Sequence, residues 1–263
     1  MTSLRSWFVS VAIVAALLAG LPALAQAQAS APAQTQSSGG SSILGGRATV
    51  HFNVGLQTGS GDLAQTFTPI IYDEPASISV AQTYETGGLI DVGGSYLVYE
   101  DFGVGLSYTH TAGDGNATIA GQIPHPLFAD QPRSATATAT GLGHSEDAVH
   151  IAFLYRFAAT PKVDVTVGLG PTFFSVKQDL VPTVDVTEGA GGPVITPAVV
   201  EGSDSAVGVN VGADVTYMIT DMIGAGVLLR YAKSTAEVSA ADSQSVDVRA
   251  GGFQFGVGVR VRF

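Results

Sequence analysis

The sequence predicts an all-β fold in which eight antiparallel strands form an up-and-down barrel. Eight segments alternate apolar and polar residues with a period of two, which is typical of strands with one apolar and one polar face. Short turns and long polar segments alternate between these strands. Although 46% of the 263 residues are hydrophobic, no run after the N-terminus reaches the roughly 20 apolar residues of a membrane helix.

The alternating segments follow one another from Ala48 to the C-terminus. In the first segment, Val50 and Phe52 alternate with His51 and Asn53, and an earlier start of the second, at Ile78, is also compatible with the pattern. The eight segments cover residues 48–57, 90–98, 102–109, 149–157, 163–173, 207–217, 223–231 and 253–263. Their apolar faces include, in the same order, Val54 and Leu56; Ile90 and Val92; Val104 and Leu106; Ile151 and Phe153; Val165 and Val167; Val209 and Val211; Val227 and Leu229; and Val257 and Val259.

The chemistry of the two faces predicts that the barrel spans a membrane. The polar face is mostly Gly, Ser, Thr and Asn, whereas the outside of a soluble sandwich or barrel, the alternative fold, would be rich in Lys and Glu. Small side chains suit the narrow interior of an eight-stranded barrel. Aromatic residues near both ends of the apolar face are typical of transmembrane barrels. These are Phe102, Phe157, Tyr217 and Phe263 at one end, and Tyr108, Phe173, Tyr231 and Phe253 at the other.

The lengths of the connections predict the orientation of the barrel. Short turns are expected at residues 99–101, 158–162 and 219–222, and long polar loops at 60–77, 112–146, 178–205 and 233–245. Outer-membrane barrels have short periplasmic turns and long extracellular loops, so we expect both termini in the periplasm. Residues 134–140 continue to alternate inside the second loop, which predicts a strand that extends above the membrane.

The N-terminal region resembles a secretory signal peptide. Arg5 precedes an apolar run from Trp7 to Leu21, and small residues suitable for cleavage follow at Ala23, Ala25 and later positions. A retained membrane anchor is the alternative interpretation. We therefore predict a cleaved signal peptide at residues 1–29, a flexible leader rich in Ser, Gly and Gln at 30–46, and the barrel domain at 47–263.

The last segment carries the clearest family resemblance, because it ends in an aromatic residue preceded by apolar residues at every second position. With the signal peptide and the eight strands, this pattern resembles the small outer-membrane β-barrel proteins of Gram-negative bacteria, the superfamily of the outer membrane protein A transmembrane domain and outer membrane protein X. The resemblance implies that the barrel-assembly machinery reads a terminal signal formed by Phe255, Val257, Val259, Val261 and Phe263. In contrast to outer membrane protein A, we expect no periplasmic peptidoglycan-binding domain.

The inward faces of the predicted strands carry charged residues and histidines. Because an unpaired buried charge is costly, we expect these groups to pair with one another or with water, and to form a structural network in the lumen. Arg156 and Asp164 are expected to lie almost opposite each other across the 158–162 turn, and pairing of the end strands would bring His51 near Arg260. The predicted network is Asp91, His150, Arg156, Asp164, Asp214, Arg230, Arg260 and Arg262.

Composition and motifs exclude several classes of function. The absence of cysteine excludes disulfides and thiolate metal sites, and a net charge of −11 argues against nucleic-acid binding. Acidic residues outnumber the four basic ones in the loops, Arg133, Lys177, Lys233 and Arg249, and no loop has the spacing of a calcium site. We expect no cofactor and no dedicated metal site.

These features predict a monomeric outer-membrane barrel with a structural or surface-interaction role, in contact with lipid and lipopolysaccharide. The alternative is a narrow, porin-like channel for ions or small solutes. A lipid-modifying enzyme is a weaker alternative. It would have to use His110 or the run His144, Ser145 and Glu146, whose neighbouring side chains point in alternating directions and form no triad by themselves. The sequence identifies no extracellular ligand.

Overall fold

The computed structural model describes residues 45–59, 61–85, 87–238 and 245–263, and all of its regular structure is β. The predicted signal peptide and nearly all of the predicted leader lie outside these residues. The described strands are β1 Ala48–Thr58, β2 Gly61–Phe67, β3 Ile70–Ile71, β4 Glu74–Pro75, β5 Ser77–Tyr84, β6 Gly88–Tyr99, β7 Phe102–Ile123, β8 Arg133–Thr160, β9 Val163–Gly189, β10 Gly192–Met218, β11 Ile223–Val238 and β12 Val246–Arg262.

Eight of these strands form a closed antiparallel ring, which confirms the predicted fold class. Neighbouring members pair in the order β1, β12, β11, β10, β9, β8, β7 and β6, and β6 returns to β1. The end strands pair as expected, with His51 opposite Arg260 and Asn53 opposite Gly258. Closure satisfies the backbone N–H and C=O groups that hydrocarbon cannot hydrate.

In the half of the ring that contains the short turns, the apolar face points outward. Phe52, Val104, Phe153 and Leu229 are exposed there, whereas Asn53 is completely buried in the interior. The predicted turns lie between β6 and β7, between β8 and β9, and between β10 and β11. No helix in residues 45–59, 61–85, 87–238 or 245–263 is long and apolar enough to cross a membrane.

The prediction of four long polar loops was wrong for most of their length. β7 to β11 continue far beyond the predicted membrane segments, as the bounds of β8 and β9 show. The alternation at residues 134–140 does form part of a strand, β8, as predicted. The first loop folds into β2 and β5. Because β5 and β6 both pair with β7 and are separated only at residues 85–87, the early start at Ile78 belongs to a distinct strand.

The extended half is stable because its faces reverse their chemistry. On the outward face of β11, Leu229 and Tyr231 are followed by Lys233, whereas the inward face passes from Arg230 to Ala232 and then to Val238. The interior of the extension thus holds two apolar clusters. One contains Phe174, Val176, Leu180 and Val248, and the other contains Ile78, Ile119, Ile123, Leu142 and Val181. The extension therefore resembles a water-soluble barrel placed on top of a membrane-spanning one.

Closure of the ring between β1 and β12 requires glycine at Gly258. An added Cβ atom would lie 1.8 Å from the carbonyl oxygen of Phe52, which is far inside van der Waals contact. We expect Gly258→Ala to force the end strands apart and to lower strongly the yield of barrel that resists SDS until it is boiled. Gly88→Ala is the control, because a Cβ atom at Gly88 meets nothing within 4 Å. Equal yields of the two variants on an unboiled gel would refute this requirement.

Candidate functional site: the charged interior of the barrel

An ion pair between Asp91 and Arg230 occupies the centre of the membrane-spanning lumen. Nη1 of Arg230 donates to Oδ2 of Asp91 at 2.9 Å, and both side chains are buried. Asp91 also accepts hydrogen bonds from Asn53 at 2.8 Å and from Thr109 at 2.9 Å. Nη2 of Arg230 donates to Ser107 at 3.0 Å. The pair is thus fully hydrogen-bonded, the condition under which a buried ion pair is tolerated.

Below this pair, the network reaches the periplasmic end of the barrel. Arg260, of which only 1% of the surface is exposed, donates to Asn53 at 2.6 Å and forms an ion pair with Asp214. Arg262 pairs with Asp164. Both arginines belong to β12. Their hydrogen bonds and ion pairs therefore connect the last residues of β12 to β1, β9 and β10.

The expected pairing of Arg156 with Asp164 is not formed. Arg156 stands opposite Thr166, and the register of β8 and β9 shifts between Ala158 and Thr160. Arg262 takes the place beside Asp164, and Nη2 of Arg156 donates instead to the carbonyl oxygen of Gly46 at 3.0 Å.

Above the central pair, the network continues through residues outside the predicted set: Gln57 and Gln254 were not singled out from the sequence, and His144 and Glu146 were considered only as part of a possible enzyme site. Arg230 donates to Gln254 at 3.2 Å, Gln254 to Gln57 at 2.8 Å, and Gln57 to Glu146 at 2.9 Å. Nε2 of His144 lies 3.0 Å from Glu146. Side chains at every second position of β8 face the lumen, so His144 and Glu146 lie on the same inward face as His150. This alternation was missed because residues 112–146 were predicted to form a loop.

The network contacts all eight strands of the ring. His150 adds β8, with Nδ1 2.9 Å from Thr172 and Nε2 3.1 Å from Thr109, and Nδ1 of His144 lies 2.7 Å from Gln178 on β9. Small cavities lie beside the network in the lumen, and two of them have a volume of about 110 Å³ each. Ser107 and Arg230 line the lower cavity, and Gln57 and Glu146 line the upper one. Each cavity has room for only a few water molecules.

Outside the lumen, Asp147 joins two strands on the outward face. Its carboxylate lies 2.8 Å from Nδ1 of His110 and accepts a hydrogen bond from Tyr108. Ser145 lies on this outward face, whereas His144 and Glu146 are buried in the lumen. The run from 144 to 146 therefore does not place a serine beside its histidine. The described residues contain no cluster of three or more His, Asp or Glu that could hold a metal ion.

At the far end of the extension, one ion pair joins three connections. Nη1 of Arg133, at the start of β8, donates to Glu188 at 2.8 Å, and Tyr72 donates to the same carboxylate at 3.1 Å. Nη2 of Arg133 donates to the carbonyl oxygen of Pro124 at 3.2 Å. The hydrogen bond from Arg133 holds the pKa of Glu188 below its usual range. Lower in the extension, burial raises the pKa of Tyr84, which donates to the carbonyl oxygen of Arg249.

The residues of the predicted assembly signal alternate along the outward face at the end of β12 and at the residue after it. Phe255, Val257 and Val259 are exposed on the outward face, whereas Val261 and Phe263 are partly exposed.

Among solved structures, the chain is similar to Neisserial surface protein A (15% identity, covering 82% of this chain and 97% of that one, TM-score 0.41). It is also similar to OprG from Pseudomonas aeruginosa (9% identity, 83% and 96%, TM-score 0.45) and to Ail, the attachment invasion locus protein of Yersinia pestis (12% identity, 82% and 99%, TM-score 0.36). A search of curated proteins finds no significant match.

The family assignment does not depend on these weak structural likenesses. A family model described as the outer membrane protein beta-barrel domain matches residues 13–260, which is nearly the whole chain. The closed ring, the apolar outer surface of its membrane half and the polar lumen of that half are typical of transmembrane β-barrels. The chain belongs to the outer membrane protein beta-barrel domain family and resides in the outer membrane of the cell.

Proposed function

We propose that the protein is a non-catalytic anchor that presents a rigid β extension at the cell surface, where the extension contacts other molecules. The observation that carries this proposal is that side chains occupy the interior at both levels and leave small cavities beside them. The membrane half holds a hydrogen-bonded network centred on Asp91 and Arg230, and the extension holds two apolar clusters. An interior occupied in this way favours a structural role over the alternative, a narrow channel.

The outer end of the extension supports a role in surface contacts. Leu127 and Phe128, in the connection between β7 and β8, are 81% and 56% exposed. Because the two residues are adjacent in the chain, they place apolar surface together at the outer end, and contiguous apolar surface is what interaction sites have in common. The ion pair of Arg133 with Glu188 holds the neighbouring connections together, so the exposed pair is presented on an ordered framework.

Single-channel recording in planar bilayers tests the proposal. We expect no defined conductance steps from the purified barrel, because ions would have to pass through Asp91, Arg230, Gln254 and the apolar clusters above them. Insertion is verified on the same preparation by the gel shift that distinguishes folded from boiled protein. Reproducible unitary steps whose number follows the protein concentration would support the channel and refute the anchor.

Three further expectations belong to this proposal. Residues 1–29 act as a cleaved signal peptide, and the mature chain works as a monomer. The outward-facing end of β12, from Phe255 to Phe263, serves as the signal for the barrel-assembly machinery. We expect Phe263→Ala to lower the amount of folded protein in the outer membrane, as measured by fractionation and the gel shift, whereas the same substitution at the outward Phe102 has a smaller effect.

A further inference from the structure

An apolar groove crosses the lipid-facing surface of β8 to β12. It has a volume of about 640 Å³. One wall is a continuous register row in which Phe153, Leu169, Val211, Tyr231 and Phe253 stand opposite one another on successive strands.

The groove passes over Ala213, whose side chain is smaller than those of its neighbours on the adjacent strands. Ala213 stands between Val167 on β9 and Leu229 on β11, and all three line the groove. Because the strands of such barrels are tilted by about 35–45°, a row perpendicular to the strands runs obliquely through the membrane. The groove thus leads from Phe102 and Phe153 to Tyr231 and Phe253, whose tilted rings have centroids 4.8 Å apart.

Two cationic side chains lie directly above the upper end of the groove. Lys233 follows Tyr231 on the outward face of β11, and Arg249 precedes Phe253 on the outward face of β12. Lys233 is opposite Gly251 and Arg249 is opposite Thr235, so the two are diagonal neighbours, about 7–8 Å apart at their backbones. Both are exposed.

Neither cation has an ion-pair partner within the part of the chain that the structure describes. Glu85 and Glu146 border the upper cavity together with Lys233 and Arg249, but they form no ion pair with them. Two adjacent cations without a counter-charge repel each other, so an anionic group that contacts both would be favoured.

The surface therefore combines a long apolar groove with two cations that form no ion pair with any described residue, at the level where aromatic residues mark the membrane boundary. This combination matches the chemistry of a phosphorylated lipid, which has acyl chains below a phosphate. Farther from the membrane, the outward residues of the same strands become acidic, with Glu237 opposite Asp247, so an anion is favoured only beside Lys233 and Arg249.

We propose that Lys233, Arg249 and the groove over Ala213 form a binding site for one phosphorylated lipid of the outer leaflet. Its phosphate contacts the two cations, and an acyl chain lies in the groove below Tyr231 and Phe253. The inference depends on the position of the barrel in the membrane and is independent of the proposed surface role.

Native mass spectrometry of the folded barrel in detergent tests the site, with bisphosphorylated lipid A as the probe. We expect one retained lipid A molecule. The double variant Lys233→Gln/Arg249→Gln should weaken its binding about thirtyfold, because each cation near a membrane surface contributes about 1 kcal/mol. Ala213→Phe should also weaken binding, because the added ring fills the groove. Lys177→Gln, which removes an outward cation on β9 away from the groove, should bind as the wild type does.

Two further arms distinguish a lipid from a free anion. Dephosphorylated lipid A should bind far more weakly than lipid A, and inorganic phosphate at millimolar concentration should not displace the bound lipid. The proposal is overturned if the double variant retains lipid A as well as the wild type does. It is also overturned if Ala213→Phe has no effect while inorganic phosphate competes, since the site would then bind only an anion. The gel shift of each variant verifies that it is folded.

Discussion

Replacing Arg230 by methionine should lower the free energy of unfolding of the barrel by about 3–5 kcal/mol. The substitution leaves the Asp91 carboxylate, which is completely buried, without its guanidinium partner and with only His51 at ion-pair distance. It also removes the donors to Ser107 and Gln254. Breaking one side of a buried ion pair is much more costly than removing both sides, because the remaining charge keeps its full desolvation penalty.

The measurement is the urea concentration at which the detergent-solubilised barrel loses its gel shift, followed in parallel by circular dichroism. The variant Asp91→Asn/Arg230→Met should recover at least half of the lost stability, since no charge is then left unpaired. Arg156→Met is a matched control in the same lumen, because Arg156 forms no ion pair among the described residues and donates only to Gly46. We expect that control to lose about 1–2 kcal/mol.

The two outcomes separate a structural interior from a hydrated one. If Arg230→Met unfolds at the same urea concentration as the wild type, Asp91 does not need Arg230: either His51, whose Nε2 lies 3.1 Å from the carboxylate, or water then stabilises it. Repeating the comparison with His51→Asn added separates these two cases, and an unchanged stability there would favour a hydrated lumen. A large loss that the double variant restores indicates instead that the lumen works as a core. It would also show that Arg230 is retained for stability of the closed ring.

The sequence was sufficient to predict the membrane half because its alternation is strong and continuous. Phe52 and Val54 keep the outward face, and His51 and Asn53 the inward face, along all of β1. Pairing of the first and last strands then fixed the register of Arg260. The partners of the lumen charges were harder to predict, because they depend on which long side chains meet across the ring. The Arg262–Asp164 pair joins β12 to β9, which are not neighbours in the ring. Such a contact cannot be recognised from the sequence spacing of the two residues.

The sequence did not predict the extension, because its apolar residues move from the outward face of the strands to the inward face. On β7 the outward face carries Leu106 and Tyr108, whereas Ile119 and Ile123 lie on the opposite face. If apolar residues are expected to face outward along the whole strand, the part of β7 in the extension looks like an irregular polar loop. The small Ala, Gly and Thr residues between these positions weaken the pattern further, and pairing between distant strands decides the structure.

Replacing Ile119 by aspartate should unfold the extension while the membrane half remains closed. Ile119 has no exposed surface and packs in the cluster that contains Ile78 and Ile195. An unpaired carboxylate in this cluster would cost several kcal/mol, whereas the network around Asp91 lies far below it and keeps its own contacts. We therefore expect rapid proteolysis within residues 112–205 of the detergent-solubilised variant, together with an unchanged gel shift of the uncleaved barrel.

Ala120→Asp is the control, because it places the same charge on the adjacent residue of β7, which faces outward and is exposed. That variant should resist protease as the wild type does, since water solvates its carboxylate. Equal resistance of the two variants would show that water reaches the interior of the extension, contrary to an apolar core. If Ile119→Asp also abolishes the gel shift, the two halves fold as one cooperative unit. The reversal of inward chemistry between Arg230 and Ala232 would then mark the membrane boundary without separating two independently stable parts.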